Sequence, residues 1–233
     1  MKSKTQYNTN VPHYETDTGD KILYPFSPPI FQSYVDEKFT SELISEGRKL
    51  NKDEDDWNPR LAGQHKFGRS YHYKKDFCYK AEKYLIEYVK RFFKGLQRQY
   101  GEQYDGHSRL LQIPNNQFNK TDNGVLRLDS LWINFSQKLD TNIPHTHSGE
   151  LSFVIYCKVP EKIFTEQTDS NTKRAGEIIF QYGELITPLT GAEYPVKPSD
   201  NLIFIFPAKL RHFVPPYYVD EERISVSGNF KAV

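Results

Sequence analysis

Cysteine is almost absent: Cys78 and Cys157 stand alone in 233 residues, too few for a disulfide framework. Long apolar runs are also missing, and none approaches the roughly 20 residues needed to cross a bilayer. No basic stretch followed by an apolar one opens the chain, so a secretory leader is not expected. Nor is there an excess of charge of one sign. Thirty-one Lys and Arg against 30 Asp and Glu leave a formal +1, so no global field gathers nucleic acid or acidic membranes. Internal repeats and low-complexity tracts are lacking as well. Together these absences point to a soluble protein of a reducing, cytoplasmic compartment, with neither a membrane nor nucleic acid indicated as a partner.

What is present suffices for a core. Aromatic residues reach 15% within an apolar share of 37%, and 233 residues fit one domain, a length common among all-β barrels. Residues 1–22 are polar with little periodicity and read as a flexible lead-in to a single domain over 23–233. Thr40 can cap a first helix, with Leu43, Ile44 and Leu50 at roughly helical spacing. The acidic run NKDEDDW reads as a solvated loop. From Asp76 to Tyr100, Phe77, Ala81, Leu85, Tyr88, Val89, Phe92 and Leu96 recur at three- and four-residue steps without proline. That pattern predicts a long amphipathic helix packing one stripe on a sheet.

Beyond Tyr100 the texture changes. Gly, Pro and Asn clusters separate short β-rich runs: LRLDSLWINF, LSFVIYCKV, EIIFQY, NLIFIFP and RISVSGNF. Two helices followed by many strands predict an α+β fold. Helical support over about 38–100 would buttress a curved double sheet of the jelly-roll, cupin-like kind over about 126–230.

The segment from Asn142 to Gly149, NIPHTHSG, carries the first chemical signal. In an extended chain residues i and i+2 share a side, roughly 6.5–7 Å apart, so His145 and His147 can reach one ion. His212 follows 65 residues after His147, just past the apolar run NLIFIFP and among prolines. Three imidazoles make a metal site without naming the metal. In RISVSGNF, Arg223, Ser225, Ser227 and Asn229 fall on one face, and Ile224, Val226 and Phe230 on the other. An Arg beside three polar groups suits a small anion, because guanidinium pairs with carboxylate as a bidentate fork. His13, His65, His72 and His107 lie in polar stretches without ligand spacing and read as ordinary histidines. The basic, aromatic segment RLAGQHKFGRSYHYKK reads as a solvated loop with a few packed rings, or else as a substrate-contacting surface.

As a set, these motifs resemble the 2-oxoglutarate and Fe(II)-dependent oxygenase superfamily. Its double-stranded β-helix core carries His-x-Asp/Glu, a distal His and a downstream Arg-x-Ser. More narrowly, the chain is similar to a group of oxygenases, common in bacteria and in phages of marine cyanobacteria, that carry an N-x-x-H-x-H segment. The likeness is loose over about 22–51, through YPFSPPIF. It is good over 126–230, through Trp132-x-Asn134, NIPHTHSGELSFVIYCKVP, FPAKLRHFVPP and ERISVSGNF. The resemblance implies Fe(II) at His145, His147 and His212, with 2-oxoglutarate chelating it and meeting Arg223 and Ser225 at its far carboxylate. Asn134 and Tyr156 match positions lining the cosubstrate pocket, although Tyr156 equally fits a packing aromatic. The implied reaction couples decarboxylation of 2-oxoglutarate to succinate and CO₂ with hydroxylation of a prime substrate, with ascorbate as reductant in vitro. The compartment would be the host cytoplasm if the chain is phage-encoded. His147 stands where the superfamily has Asp or Glu, and Glu150 is the rival ligand. Two other readings remain open from the residues: a three-histidine zinc hydrolase or lyase with Glu150 as base, and a non-catalytic cupin-like metal-binding or capsid-associated structural module.

Overall fold

The computed structural model describes residues 13–25, 28–100, 126–165, 174–183 and 192–232. His107 lies outside them, as do residues 1–12 of the expected lead-in. From His13 onward that lead-in is not loose: β1 (His13–Glu15) pairs with β2 (Lys21–Leu23), and β2 with β3 (Ile30–Tyr34). These strands are too short to show a period, so polarity alone set the sequence expectation.

Helix α1 spans Glu37–Gly47 with Asp36 at its cap position. The expected cap, Thr40, sits one turn inside. Its hydroxyl donates to the Glu37 carbonyl at 3.0 Å and to Asn201 Oδ1 at 2.6 Å, tying the helix to a distant turn. Leu50 falls beyond the helix end. Helix α2, Lys75–Tyr100, follows the predicted periodicity. Ala81, Leu85, Tyr88, Val89, Phe92 and Leu96 are buried, with Phe77 packed at the margin of the same core.

Two antiparallel sheets follow. After β4 (Gly63–Gln64) and β5 (Arg69–His72) come β6 (Leu126–Ser136), β7 (Thr141–His145) and β8 (Leu151–Lys158). The short helix α3 (Lys162–Thr165) then precedes β9 (Ile178–Gln181), β10 (Glu193–Val196), β11 (Leu202–Pro207), β12 (Arg211–Val214) and β13 (Arg223–Ala232). The major sheet runs β1-β2-β3-β11-β8-β13-β6-β5 and the minor one β10-β9-β12-β7-β4. This is the α+β jelly-roll arrangement that the strand pattern predicted.

Strand alternation explains how one sheet serves two cores. On β8, Phe153, Ile155 and Cys157 join the core beneath the helices, while Val154 and Tyr156 join the core between the sheets. On β11, Ile203 and Ile205 take the helix side and Leu202, Phe204 and Phe206 the inner side. With both faces covered, these strands read as continuous apolar runs. Strand β13 carries Ile224, Val226 and Phe230 to the helix side, which turns Arg223, Ser225 and Ser227 toward the minor sheet.

Gly228 on β13 is paired on one side with β6 and on the other with β8. A Cβ there would lie 2.5 Å from both the Ser130 carbonyl oxygen and Phe153 Cζ. Gly228→Ala is therefore expected to lower stability by about 1–3 kcal/mol, the usual range for overpacking. The readout is a lower urea midpoint at unchanged slope, and an unchanged midpoint would contradict so close an approach.

The segment expected as a solvated loop, residues 60–75, instead pairs with both sheets. Strand β4 lies against β7 and β5 against β6. Its aromatics are shared between packing and exposure: Tyr73 is buried and Phe67 exposed.

Candidate active site

Two of the three histidines come from paired positions of the minor sheet. His145 ends β7 and pairs directly with His212 on β12. His212 therefore sits within a central strand rather than in the proline-fixed turn that its neighbours suggested. His147 lies in the turn after β7, which is clamped on both sides. Its N–H donates to the Ala208 carbonyl at 2.8 Å, and Lys209 Nζ donates to its carbonyl at 3.1 Å. Gly149 closes the turn with φ +90°, where a Cβ would meet the Phe230 carbonyl at 2.6 Å. Both facts require glycine.

The ligand atoms of His145, His147 and His212 all lie within 4.8 Å of one another. His145 Nδ1 is 2.6 Å from the Ile143 carbonyl and His212 Nδ1 is 3.0 Å from the Leu210 carbonyl. With Nδ1–H donated to a carbonyl, each ring presents the lone pair of Nε2. His147 Nε2 stands 3.2 Å from His212 Nε2, so these two nitrogens face the same point. Burial lowers the pKa of all three rings. It brings His147 down to about 4 with a further contribution from His145, and puts His212 well below the usual range with help from both neighbours. All three are neutral at pH 7, the form that binds metal.

Glu150 points elsewhere. Its carboxylate accepts the Ala232 N–H at 2.7 Å, at the far end of β13. Among the described residues, no carboxylate joins the histidine cluster.

Asn134, Tyr156, Arg223 and Ser225 line the same cleft as the histidines, together with Trp132. The cleft is narrow, with a cavity volume of ≈ 50 Å³. Arg223 is buried. Its Nη1 donates to the Gly176 carbonyl at 3.0 Å, its guanidinium lies 5.7 Å from the Tyr217 ring centre, and its Nε has no hydrogen-bond partner. A buried guanidinium with an orphaned donor in a cleft is the arrangement expected where an anion belongs. Ser70 Oγ donates to Asn134 Oδ1 at 2.7 Å, and Asn134 Nδ2 donates to Ser225 Oγ at 3.4 Å, so the polar wall is held in series. Tyr156 is fully enclosed, and burial raises its phenol well above the usual value while Arg223 opposes the rise. Asn229, expected on the same face, is used structurally. It accepts from Ser152 at 2.7 Å and donates to Ser130 at 3.0 Å.

Residues 130–229 match the family described as "Putative 2OG-Fe(II) oxygenase". That segment is similar to the 2OG-Fe(II) oxygenases. The histidines, Arg223, Ser225, Asn134 and Tyr156 all fall inside the matched segment, and three neutral imidazoles are a donor set that fits the family's iron. No curated protein matches this chain by sequence. Among solved structures it resembles a prolyl-4-hydroxylase from Pseudomonas putida, at 13% identity and TM-score 0.51 over 89% of this chain and 94% of that one. A 2OG-Fe(II) oxygenase family oxidoreductase from Burkholderia pseudomallei matches at 12% identity and TM-score 0.45, over 87% and 84% of the two chains. A Trichoplax adhaerens prolyl hydroxylase, solved with a hypoxia inducible factor peptide fragment, matches at 11% and 0.48 over 87% and 82%. At its low identity the first likeness establishes a shared fold, and the other two are too distant to carry an argument.

Part of the cleft wall comes from the segment read either as a solvated loop or as a substrate-contacting surface: Leu61, Ala62 and Gly63 line the cleft from β4 and the residues before it, and Asn142 lines it from β7.

Proposed function

We propose that this protein is a 2-oxoglutarate- and Fe(II)-dependent dioxygenase that hydroxylates a prime substrate, releasing succinate and CO₂. The observation that carries this reading is a single cleft holding both the three-histidine cluster and the partly unpartnered Arg223 guanidinium. Iron and 2-oxoglutarate, when bound, supply the oxidising chemistry. The chain's residues bind, orient and exclude water.

His145, His147 and His212 would hold the iron through neutral ring nitrogens, two of them fixed in tautomer by the Ile143 and Leu210 carbonyls. Three protein donors leave further coordination positions for small ligands. Arg223 would pair with the far carboxylate of 2-oxoglutarate, with Ser225 Oγ as a second donor. Asn134 positions that hydroxyl and is itself positioned by Ser70. Val154, Ile178 and Phe206 form apolar walls that keep water from the reacting atoms. A zinc hydrolase would need a general base, and Glu150 is already committed to Ala232.

We take the expected single domain over 23–233, extended back to β1 at His13, as one oxygenase unit, because β1, β2 and β3 pair in series, β3 pairs with β11 and β5 with β6. No helix among the described residues is long and apolar enough to cross a membrane. Free Cys78 and Cys157 fit a reducing, cytoplasmic setting.

The test is uncoupled turnover. With Fe(II), ascorbate and oxygen, the purified protein is expected to form succinate from 2-oxoglutarate slowly without prime substrate. Iron-loaded protein that makes no succinate, alone or with candidate substrates, would contradict the dioxygenase reading.

A further inference from the structure

Tyr217 has no role so far in binding metal or cosubstrate, yet its side chain lies against Arg223. It is fully enclosed, in a small core with Ile163 and Val219. Its hydroxyl sits where three segments meet. It donates to the Ser136 carbonyl at 2.6 Å, with the Glu221 carbonyl also in reach at 3.1 Å, and it accepts the Arg223 N–H at 3.4 Å. Ser136 and Arg223 are the last pair in the register of β6 with β13, so one hydroxyl closes that end of the pairing. Burial pushes the phenol up to about 12 although the Arg223 charge opposes the rise, and at pH 7 the hydroxyl keeps the proton it donates.

The ring and the chain just before it fix the guanidinium. The ring centre is 5.7 Å from Arg223 Cζ, inside the range of about 6 Å over which a ring face attracts a cation. Two residues earlier, the Pro215 carbonyl accepts the Gly176 N–H at 3.2 Å, and the Gly176 carbonyl in turn accepts from Arg223 Nη1 at 3.0 Å. Gly176 has φ +68°, and a Cβ there would lie 2.4 Å from Ile163 Cγ2, so the turn that presents this carbonyl needs glycine. Pro215 and Pro216 restrict the backbone leading into Tyr217. The short segment 215–217 thus grips Arg223 at its backbone N–H, beside its guanidinium and, through Gly176, at Nη1. A long side chain gives up its rotational freedom here before any anion arrives.

We propose that Tyr217 is a positioning residue that holds Arg223 in one place relative to the histidine cluster and so selects 2-oxoglutarate over its longer homologue 2-oxoadipate; this rests on the oxygenase reading. In a 2-oxo acid anchored at the histidines, chain length decides where the far carboxylate falls. A pinned guanidinium meets that carboxylate for one length, and an extra methylene spoils the distance and angle of the paired hydrogen bonds. A guanidinium released from Tyr217 would follow the longer acid at the cost of the shorter one. Tyr217 itself touches neither acid, and its whole effect passes through Arg223.

The test is calorimetric binding of 2-oxoglutarate and 2-oxoadipate to iron-loaded protein under argon. Tyr217→Phe keeps the ring and removes the hydroxyl, and is expected to weaken 2-oxoglutarate binding about threefold to tenfold, the scale of a lost hydrogen bond. 2-Oxoadipate should lose less, so the preference for the shorter acid falls at least about threefold by the same measure. Tyr217→Leu, which also removes the ring, should lower that preference further, and Tyr218→Phe at the exposed neighbour should leave it unchanged. Combined with Arg223→Ala, Tyr217→Phe should have no further effect, because the two act as one unit. Unchanged 2-oxoglutarate affinity in Tyr217→Phe, equal losses for both acids, an undiminished loss in the Arg223→Ala background, or loss of iron from Tyr217→Phe would each overturn the positioning role. Wild-type protein that binds no 2-oxoglutarate, or Arg223→Ala that binds it as tightly as wild type, would instead contradict the cosubstrate assignment on which the role rests. An expected result for Arg223→Ala with no change in Tyr217→Phe contradicts the role of Tyr217 alone.

Discussion

His147→Ala is expected to remove most of the affinity for iron, whereas Glu150→Ala should leave it unchanged. Loss of a group that merely orients a ligand already costs about 10–100-fold in metal affinity, so loss of a ligand should cost about 100-fold or more. His147 Nε2 faces the same point as His212 Nε2 at 3.2 Å, and its backbone is clamped by Ala208 and Lys209. Glu150 instead accepts the Ala232 N–H, and its truncation should cost about 1 kcal/mol of stability as one lost hydrogen bond. Three neutral ligands leave the metal's +2 charge to be balanced by the 2-oxoglutarate dianion. Iron retention should therefore strengthen when cosubstrate is present. Competition against a chelator, with and without 2-oxoglutarate, measures both effects. Iron loss in Glu150→Ala with retention in His147→Ala would reverse the ligand assignment and leave the oxygenase reading standing.

Arg223→Ala should weaken 2-oxoglutarate binding by about 1.5–3 kcal/mol, roughly 10- to 150-fold, the scale of a hydrogen bond to a charged group. Iron should stay bound, because Arg223 lies on β13 while the histidines belong to β7, the turn after it, and β12. Lysine should rescue only in part. It restores the charge but not the planar fork, and it cannot both keep the Gly176 carbonyl bond and reach the ligand as two guanidinium nitrogens can. Calorimetry on iron-loaded protein under argon reads the change. Equal affinity in wild type and variant would mean that the cosubstrate sits elsewhere.

Much of this architecture could be read from the sequence because its burial is regular. The stripe from Phe77 to Leu96 matches α2, and the continuous apolar runs in β8 and β11 match strands covered on both faces. The alternation in RISVSGNF separated Arg223 and Ser225 from Ile224 and Val226, and they occupy opposite faces in the fold. Short pieces were not readable. β7 contains Pro144, β10 contains Pro195, and β12 has four residues, so it is pairing with neighbours rather than local propensity that makes them strands. Thr40 has the chemistry of a cap, but Asn201, 161 positions away, claims its hydroxyl. The same limit hid β4 and the buried state of His65, because both depend on Asp140 and Asn142, partners more than 70 positions along the chain.

The most direct measurement of the central claim is an anaerobic titration of the iron-loaded protein with 2-oxoglutarate, followed in the visible spectrum. A cosubstrate that chelates Fe(II) at the histidine cluster produces a weak metal-to-ligand charge-transfer band, and the account predicts that band with saturable growth. Protein that holds iron and shows no band at any 2-oxoglutarate concentration would contradict it.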